Sequence, residues 1–217
     1  REGVLTAHIL PLAIGTSAAT IVFTAVSSAR AHHAHGAVAW PVVRSMAPGL
    51  VFGSLIGPQI ASALPVRIMA GIFGAFIWFA AFRMLRKPQL KSQRELPGAA
   101  GLFAVGAGIG VISGMVGTGG AFLAVPFLVR CKVKLHSAVA TSAALGLPIA
   151  LAATAGYVFA GWGKPGLPAY SVGYVYLPAL VAIAIATTLL APFGARMAHR
   201  WPVARLRGAF ATMLFML

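Results

Sequence analysis

GAGIGVISGMVGTGG, residues 106–120, is the centre of a glycine-rich apolar segment that runs from residue 99 to residue 129. Glycine is unfavourable inside helices and permits the positive φ angles that break them. We therefore predict a helix that is broken near residues 117–120, with two arms that are each too short to span a membrane alone. Non-helical backbone at membrane depth is tolerated only where protein or a water-filled cavity surrounds it, so the break marks a candidate site.

The rest of the chain predicts an integral membrane protein. Of its 217 residues, 59% are hydrophobic and 9% are charged, and the mean hydropathy is +0.90. The apolar residues form blocks of roughly twenty, the length that crosses a bilayer core. The expected fold class is an all-α, polytopic helical bundle, with further apolar segments at about 6–29, 45–64, 68–82, 138–160 and 173–193.

The net charge of +15 comes from 17 Lys and Arg against two acids. These cations lie between the apolar blocks, which is the positive-inside pattern of a membrane protein and argues against a nucleic-acid partner. We predict that the basic loops are cytoplasmic and that the loop carrying Lys164 is on the opposite side. This assignment requires the segment 99–129 to enter the membrane and return to the same side. The predicted cytoplasmic loops are 30–44, 83–97, 130–137 and 194–207.

Two short landmarks occur twice in the same order. Thr16-Ser17-Ala18-Ala19 reappears as Thr141-Ser142-Ala143-Ala144, and Pro65-Val66 reappears as Pro202-Val203. With the loop assignment above, the two Thr-Ser segments run in opposite directions, which is typical of inverted-repeat transporters. We predict a first membrane repeat over 1–97 with the basic loop 83–97. A second repeat over 98–217 includes the glycine-rich segment.

The acids of the chain are Glu2 and Glu95, and both fall outside the apolar segments. No carboxylate is therefore available in the membrane to relay protons or coordinate a cation. Exposed N–H groups at a helix N-terminus favour an anion instead. The predicted anion site comprises Ser113, Gly114, Gly117, Thr118, Gly119 and Gly120, lined by Thr16, Ser17, Thr141 and Ser142. The alternative interpretation is that these small residues only let helices pack closely.

Other candidate residues carry weaker signals. Arg30 could attract an anion at the end of the first segment, although an ordinary cationic anchor explains it as well. The histidines at 32, 33 and 35 have loose spacing and no supporting acid or cysteine, so no metal site and no cofactor is predicted. His8 and His136 could be haem ligands, a proton-sensitive gate or interfacial histidines. No phosphate-binding loop or nucleophile–base–acid set is present, so we do not expect an enzyme.

At these residues the sequence resembles the TauE/SafE sulfite-exporter-like family of membrane permeases. The resemblance rests on Ser113-Gly114-x-x-Gly117-x-Gly119-Gly120 with Pro126 behind it, and on Ala140-Thr141-Ser142-Ala143. It extends to the run from Gly15-Thr16-Ser17 to Arg30-Ala31-His32 in the first half. The family implies two repeats and transport of sulfite, sulfonates or related anions. It also implies a glycine-rich hairpin before Thr16, so we expect the chain to be truncated at its N-terminus. The final apolar segment, from near Leu206, is too short to span a membrane, so we also expect truncation at the C-terminus.

The leading hypothesis is a secondary transporter, an exporter, of a small inorganic or organosulfur anion across a bacterial inner membrane. One alternative is a membrane subunit without transport of its own, such as a haem-bearing electron carrier or an assembly partner. Another is a passive anion channel that shares the site. The lipid bilayer is an expected partner, and a homo-oligomer is left open.

Overall fold

The computed structural model describes residues 6–34, 36–85 and 95–200. These residues form helices and one small strand pair, so the prediction of a helical bundle is confirmed. The short hairpin of β1 and β2, which pairs Ser171 with Tyr176, was not predicted. In chain order the elements are α1 (Thr6–Ala34), α2 (Trp40–Ala63), α3 (Val66–Leu85), α4 (Ala99–Val116), α5 (Ala121–Arg130), α6 (Leu135–Gly161), β1 (Ser171–Val172), β2 (Val175–Tyr176) and α7 (Leu177–Arg200).

The predicted loops are too long at several places. Helix α1 continues to Ala34 and α2 begins at Trp40, so much of the predicted loop 30–44 is helical. Proline at the second position of α2 suits a first helical turn, because the N–H that it lacks has no intrahelical partner there. Helix α7 likewise continues to Arg200, inside the predicted loop 194–207. The final segment predicted from Leu206 lies outside the described residues.

Three of the described helices are long and apolar enough to cross a membrane, with spans at His8–Arg30, Ala99–Val116 and His136–Gly161. The apolar stretches Val66–Ala80 and Leu177–Thr187 are shorter. The prediction that both arms of the broken helix are too short is wrong for α4, because its 18 residues can span a bilayer core. It holds for α5, whose 10 residues give about 15 Å of helix.

Helices α2 and α4 run parallel in close contact. A Cβ atom at Gly49 or Gly53 of α2 would overlap the carbonyl oxygen of Phe103 or Ala107 in α4. Gly106 and Gly110 of α4 meet the backbone of α2 in the same way. Both helices therefore carry glycine at every fourth position on the facing side, which lets the two backbones approach as in small-residue membrane interfaces. The glycines of this interface are Gly49, Gly53, Gly57, Gly106, Gly110 and Gly114.

The start of α4 and the end of α5 lie at the same end of the bundle. Leu102, near the start of α4, belongs to a buried cluster with Val43 of α2. Leu128, near the end of α5, packs with Val42 of α2 and Ala138 of α6. The connections 36–39 and 131–134 are therefore close to each other. The Gln59 amide donates to the Gly156 carbonyl 2.9 Å away, so the later parts of α2 and α6 meet at the opposite end.

Candidate functional site

Helix α4 ends where the sequence predicts the break. Gly117 adopts φ 72°, and its N–H donates to the Ser113 carbonyl at 2.8 Å. This is the usual end of an α-helix whose C-cap glycine is in the left-handed conformation. Gly120 adopts φ 70° and precedes α5, whose first turn closes onto the Gly120 carbonyl from Leu123 and Ala124. Both angles lie in the region that glycine enters without steric cost. The predicted break near residues 117–120 is therefore confirmed.

Buried hydroxyl groups without hydrogen-bond partners lie at this break. Ser113 has no exposed surface and Ser142 is 1% exposed, yet neither Oγ atom has a partner among the described residues. The hydroxyl of Thr118 is buried and equally unpaired. The Ser113 hydroxyl lies 3.4 Å from the Cβ position of Gly120, so it is directed at the start of α5. Buried polar groups are nearly always paired, so each of these groups requires an explanation.

The break also contacts α1 and α6. A Cβ atom at Gly146 of α6 would lie 3.7 Å from the Gly119 carbonyl oxygen, and one at Gly119 would lie 3.8 Å from Ile21 of α1. Ser142 precedes Gly146 by four residues, so the two share one face of α6. The structure therefore brings the face of α6 that carries Ser142 to the break that holds Ser113 and Thr118.

The donors at the break favour a negative charge. No side chain caps the N-terminus of α5, so the first-turn N–H groups of that helix are not satisfied by a capping residue. The positive end of the helix dipole lies at the same place. The acid of the described residues, Glu95, lies in the connection before α4 and not at the break. Uncharged hydroxyl and amide donors around a helix start can bind an oxyanion without a metal or a cofactor.

The remaining predicted residues lie elsewhere. The Thr16 hydroxyl donates to the Leu12 carbonyl at 2.7 Å and accepts the Tyr176 N–H at 3.0 Å. Thr141 accepts the Ala39 N–H at 3.0 Å, so both threonine hydroxyls are occupied by backbone groups. Ser17 is exposed in an open groove between α1 and α7. Gly114 faces Ser54 of α2, which places it in the α2–α4 interface.

Arg30 is exposed and lies nine residues beyond Ile21, about 14 Å farther along α1. The His8 ring is hydrogen-bonded through Nδ1 to the Tyr174 hydroxyl at 3.0 Å, which ties the hairpin to the start of α1. Burial raises the pKa of the Tyr174 hydroxyl above its ordinary value, so this group stays neutral. Within the described residues, no group of three His, Cys, Asp or Glu is arranged to hold a metal ion.

Two further residues were not identified from the sequence, Gly146 beside the break and Ser54 in the α2–α4 interface. Gly146 faces the Gly119 carbonyl, and Ser54 donates from α2 to the Gly110 carbonyl at 3.3 Å. The repeat of glycine at every fourth position in α2 and α4 is a signal that could have identified that interface. No comparable pattern marks Gly146, because its role depends on how α6 is rotated against the break.

The chain is similar to known membrane transporters. The family model described as sulfite exporter TauE/SafE matches residues 3–217. A "Probable membrane transporter protein" of Haemophilus influenzae is 33% identical over 211 residues, which cover 95% of this chain and 78% of that protein. A second "Probable membrane transporter protein", of Bacillus subtilis, is 24% identical over 91% of this chain and 78% of its own length. No solved structure matches. With its multiple apolar helices and a match over nearly its whole length, the chain belongs to the sulfite exporter TauE/SafE family of membrane transporters.

Proposed function

We propose that this protein is a secondary transporter that exports a small sulfur-containing anion, such as sulfite or a sulfonate, and binds it at the α4–α5 break. The observation that carries this proposal is the Ser113 hydroxyl. It is completely buried, has no partner among the described residues and is directed at the start of α5. An anion at the break would accept a hydrogen bond from this group and from the first N–H groups of α5.

The chemistry of the break supports an oxyanion in particular. Several oxygen atoms on one small centre can accept hydrogen bonds from several directions at once, and Ser113, Thr118 and Ser142 offer three separate donors. The donors are neutral, so the bound charge is stabilised by dipoles and not by an ion pair. A site made of neutral donors binds an anion less tightly than a buried arginine would. Weaker binding suits a site that must also release its ligand.

The arrangement of charge supports an orientation. Arg130, Lys132 and Lys134 lie beside the connection 36–39, at the end of the bundle where α4 begins. Lys164 lies in the connection after α6, at the opposite end. By the positive-inside rule, we propose that the first of these ends faces the cytoplasm of a bacterial inner membrane.

The proposed mechanism rests on two inverted repeats, 1–97 and 98–217. Helices α1 and α6 carry the repeated Thr-Ser-Ala-Ala segments and run antiparallel. Gly15 of α1 contacts Tyr157 of α6. Farther along α1, Ile21 lies beside Gly119, and Gly119 contacts Gly146, which comes before Tyr157 in α6. Antiparallel equivalents are what an inverted repeat requires. Although α4 is long enough to span, we propose that α4 and α5 form a re-entrant hairpin, because the start of α4 and the end of α5 lie at the same end of the bundle.

The test is flux of radiolabelled sulfite in proteoliposomes that contain the full-length protein, compared with Ser113→Ala and with the control Ser54→Ala. Both serines have no exposed surface, but Ser54 already donates to a carbonyl oxygen. We expect saturable flux that Ser113→Ala lowers about tenfold or more, because a hydrogen bond to a charged ligand is lost. Ser54→Ala should leave the apparent affinity for sulfite unchanged.

Three other outcomes would change the proposal. Equal loss of flux in both substitutions would show that the break is not the binding site. Flux that never accumulates the anion against a gradient would indicate a passive channel with the same site. No flux of sulfite, sulfate, thiosulfate or simple sulfonates would overturn the substrate class.

A further inference from the structure

Two threonines make the same long-range hydrogen bond in different halves of the chain. Thr16 of α1 accepts the N–H of Tyr176, and Thr141 of α6 accepts the N–H of Ala39, each at 3.0 Å. Both donors belong to the residue immediately before a helix, α7 in one case and α2 in the other. Both threonines are buried, at 5% and 0% exposure. We name these two contacts the Thr16 latch and the Thr141 latch.

The two latches are equivalent in sequence as well as in geometry. Helices α2 and α7 both carry proline at their second position, Pro41 and Pro178. A Pro-Val pair follows this proline 24 positions later in both halves of the sequence, as Pro65-Val66 and as Pro202-Val203. Ala39 therefore corresponds to Tyr176, as Thr16 corresponds to Thr141. Each latch joins a helix of one repeat to the helix start of the other repeat, so the pair is reciprocal.

The latches lie on opposite sides of the candidate site. Along α6, Thr141 is near the N-terminal end, Gly146 faces the break, and Tyr157 lies beside Gly15, the neighbour of Thr16. The sixteen residues from Thr141 to Tyr157 correspond to about 24 Å of helix. The break, with its unpaired hydroxyls, is therefore between the two latches.

From this geometry we infer that Thr16 and Thr141 are positioning residues of the transport cycle, each holding one side of the anion site closed. This inference rests on the proposed transport function. Opening the site at one end must separate the start of α2 or α7 from the helix that it contacts, which breaks one latch and leaves the other. Each latch also pairs a part-buried backbone N–H, so the closed position is favoured at both ends. In this structure both latches are formed.

The experiment measures access to the site from each side and needs no substrate. The reporter is Gly146→Cys, where a Cβ atom makes an ordinary contact, in a Cys131→Ala background of the full-length protein. A membrane-impermeant maleimide is applied to right-side-out and to inside-out vesicles. We expect Thr141→Val to raise the labelling rate about tenfold from the cytoplasmic side and Thr16→Val to raise it about tenfold from the other side. Thr141→Ser and Thr16→Ser should restore slow labelling because they keep the hydroxyl.

Thr154→Val is the matched control, since the Thr154 hydroxyl donates to the Ala150 carbonyl within α6 and crosses to no other helix. Where a valine substitution prevents assembly, Thr→Ala at the same position provides the second variant. Equal labelling from both sides, or labelling that neither substitution changes, would overturn the inference. Because sulfite flux is measured separately, side-specific labelling without flux would reject the substrate and keep the latches. Flux with unchanged labelling would reject the latches and keep the transporter.

Discussion

The α2–α4 interface and the α4–α5 break are built from the same small residues, but they use them differently. At the interface, glycine removes a side chain so that two helix backbones touch, and Ser54 donates across the contact to the Gly110 carbonyl. At the break, glycine permits left-handed backbone, and Ser113 keeps its hydroxyl unpaired. The Ser54 hydroxyl at the interface is already hydrogen-bonded, whereas the Ser113 hydroxyl at the break can still bond to a ligand. Glycine and serine content therefore does not distinguish these two regions, but the pairing of the buried hydroxyls of Ser54 and Ser113 does.

Gly53→Val should cause the largest loss of stability, because it introduces a branched side chain where two backbones touch. A Cβ atom at Gly53 would overlap the Ala107 carbonyl and lie 2.7 Å from the Val111 nitrogen. We expect a loss of about 3 kcal/mol or more, seen as a lower melting temperature in detergent. Gly74→Val in α3 is the control, since nothing lies within 4 Å of its Cβ position. Similar melting temperatures for both variants would show that the close α2–α4 contact does not stabilise the fold.

Gly120→Ala should have the next largest effect, through the backbone of the break. Its φ of 70° costs an alanine about 1–2 kcal/mol, and the new Cβ atom would lie 2.6 Å from Cδ1 of Ile149. Adding Ile149→Val should recover the steric part of the loss and leave the backbone part. Gly119→Ala is the control, because its nearest neighbour is Ile21 at 3.8 Å. If thermal unfolding shows equal stability for the Gly119 and Gly120 variants, left-handed backbone is not what forms the break.

The break itself could be predicted from sequence, because Gly117 and Gly120 are local signals that act on their own backbone. The described connections 36–39 and 131–134 lie close together, which agrees with the prediction that the loops 30–44 and 130–137 are on one side of the membrane. That this side is the cytoplasm stays a prediction. The helix ends could not be placed as well. Residues 30–34 and 40–44 are polar or mixed in character, and their helical state depends on contacts such as the bond from Ala39 to Thr141.

Which buried hydroxyls are hydrogen-bonded could not be predicted from the sequence. Thr16 and Ser113 are both buried in apolar segments, yet the first is occupied by backbone groups and the second is unpaired. The difference arises from the rotation of each helix and from the hairpin that ends at Tyr176. The strands of this hairpin have two residues each, too few to show an alternating pattern in the sequence. Whether Thr16, Thr141, Ser17 and Arg30 contact the anion stays a prediction.

The two completely buried serines should differ in a smaller but diagnostic way. Ser54→Ala removes a hydrogen bond and leaves the Gly110 carbonyl with one acceptor bond fewer, which should cost about 1 kcal/mol of unfolding free energy. Ser113→Ala removes a buried polar group that has no partner, so stability should be unchanged or slightly higher. Reversible unfolding in mixed micelles measures both. A destabilised Ser113→Ala variant would indicate that its hydroxyl is paired in the protein, and the candidate site would lose its main support.

Gly108→Ala should show the smallest change, and it separates the two sides of one helix. Gly108 is exposed on α4 with nothing within 4 Å of its Cβ position, whereas a Cβ atom at Gly110 would overlap the Leu50 carbonyl. In water, alanine stabilises a helix interior over glycine by about 0.5–1 kcal/mol. A membrane helix stays largely helical when the bundle comes apart, so the gain here should be about 0.5 kcal/mol or less. Gly110→Ala should instead be clearly destabilising in the same unfolding measurement. Equal effects at both positions would mean that α4 does not present one fixed face to α2. The Ser113 hydroxyl would then have no fixed direction towards the start of α5.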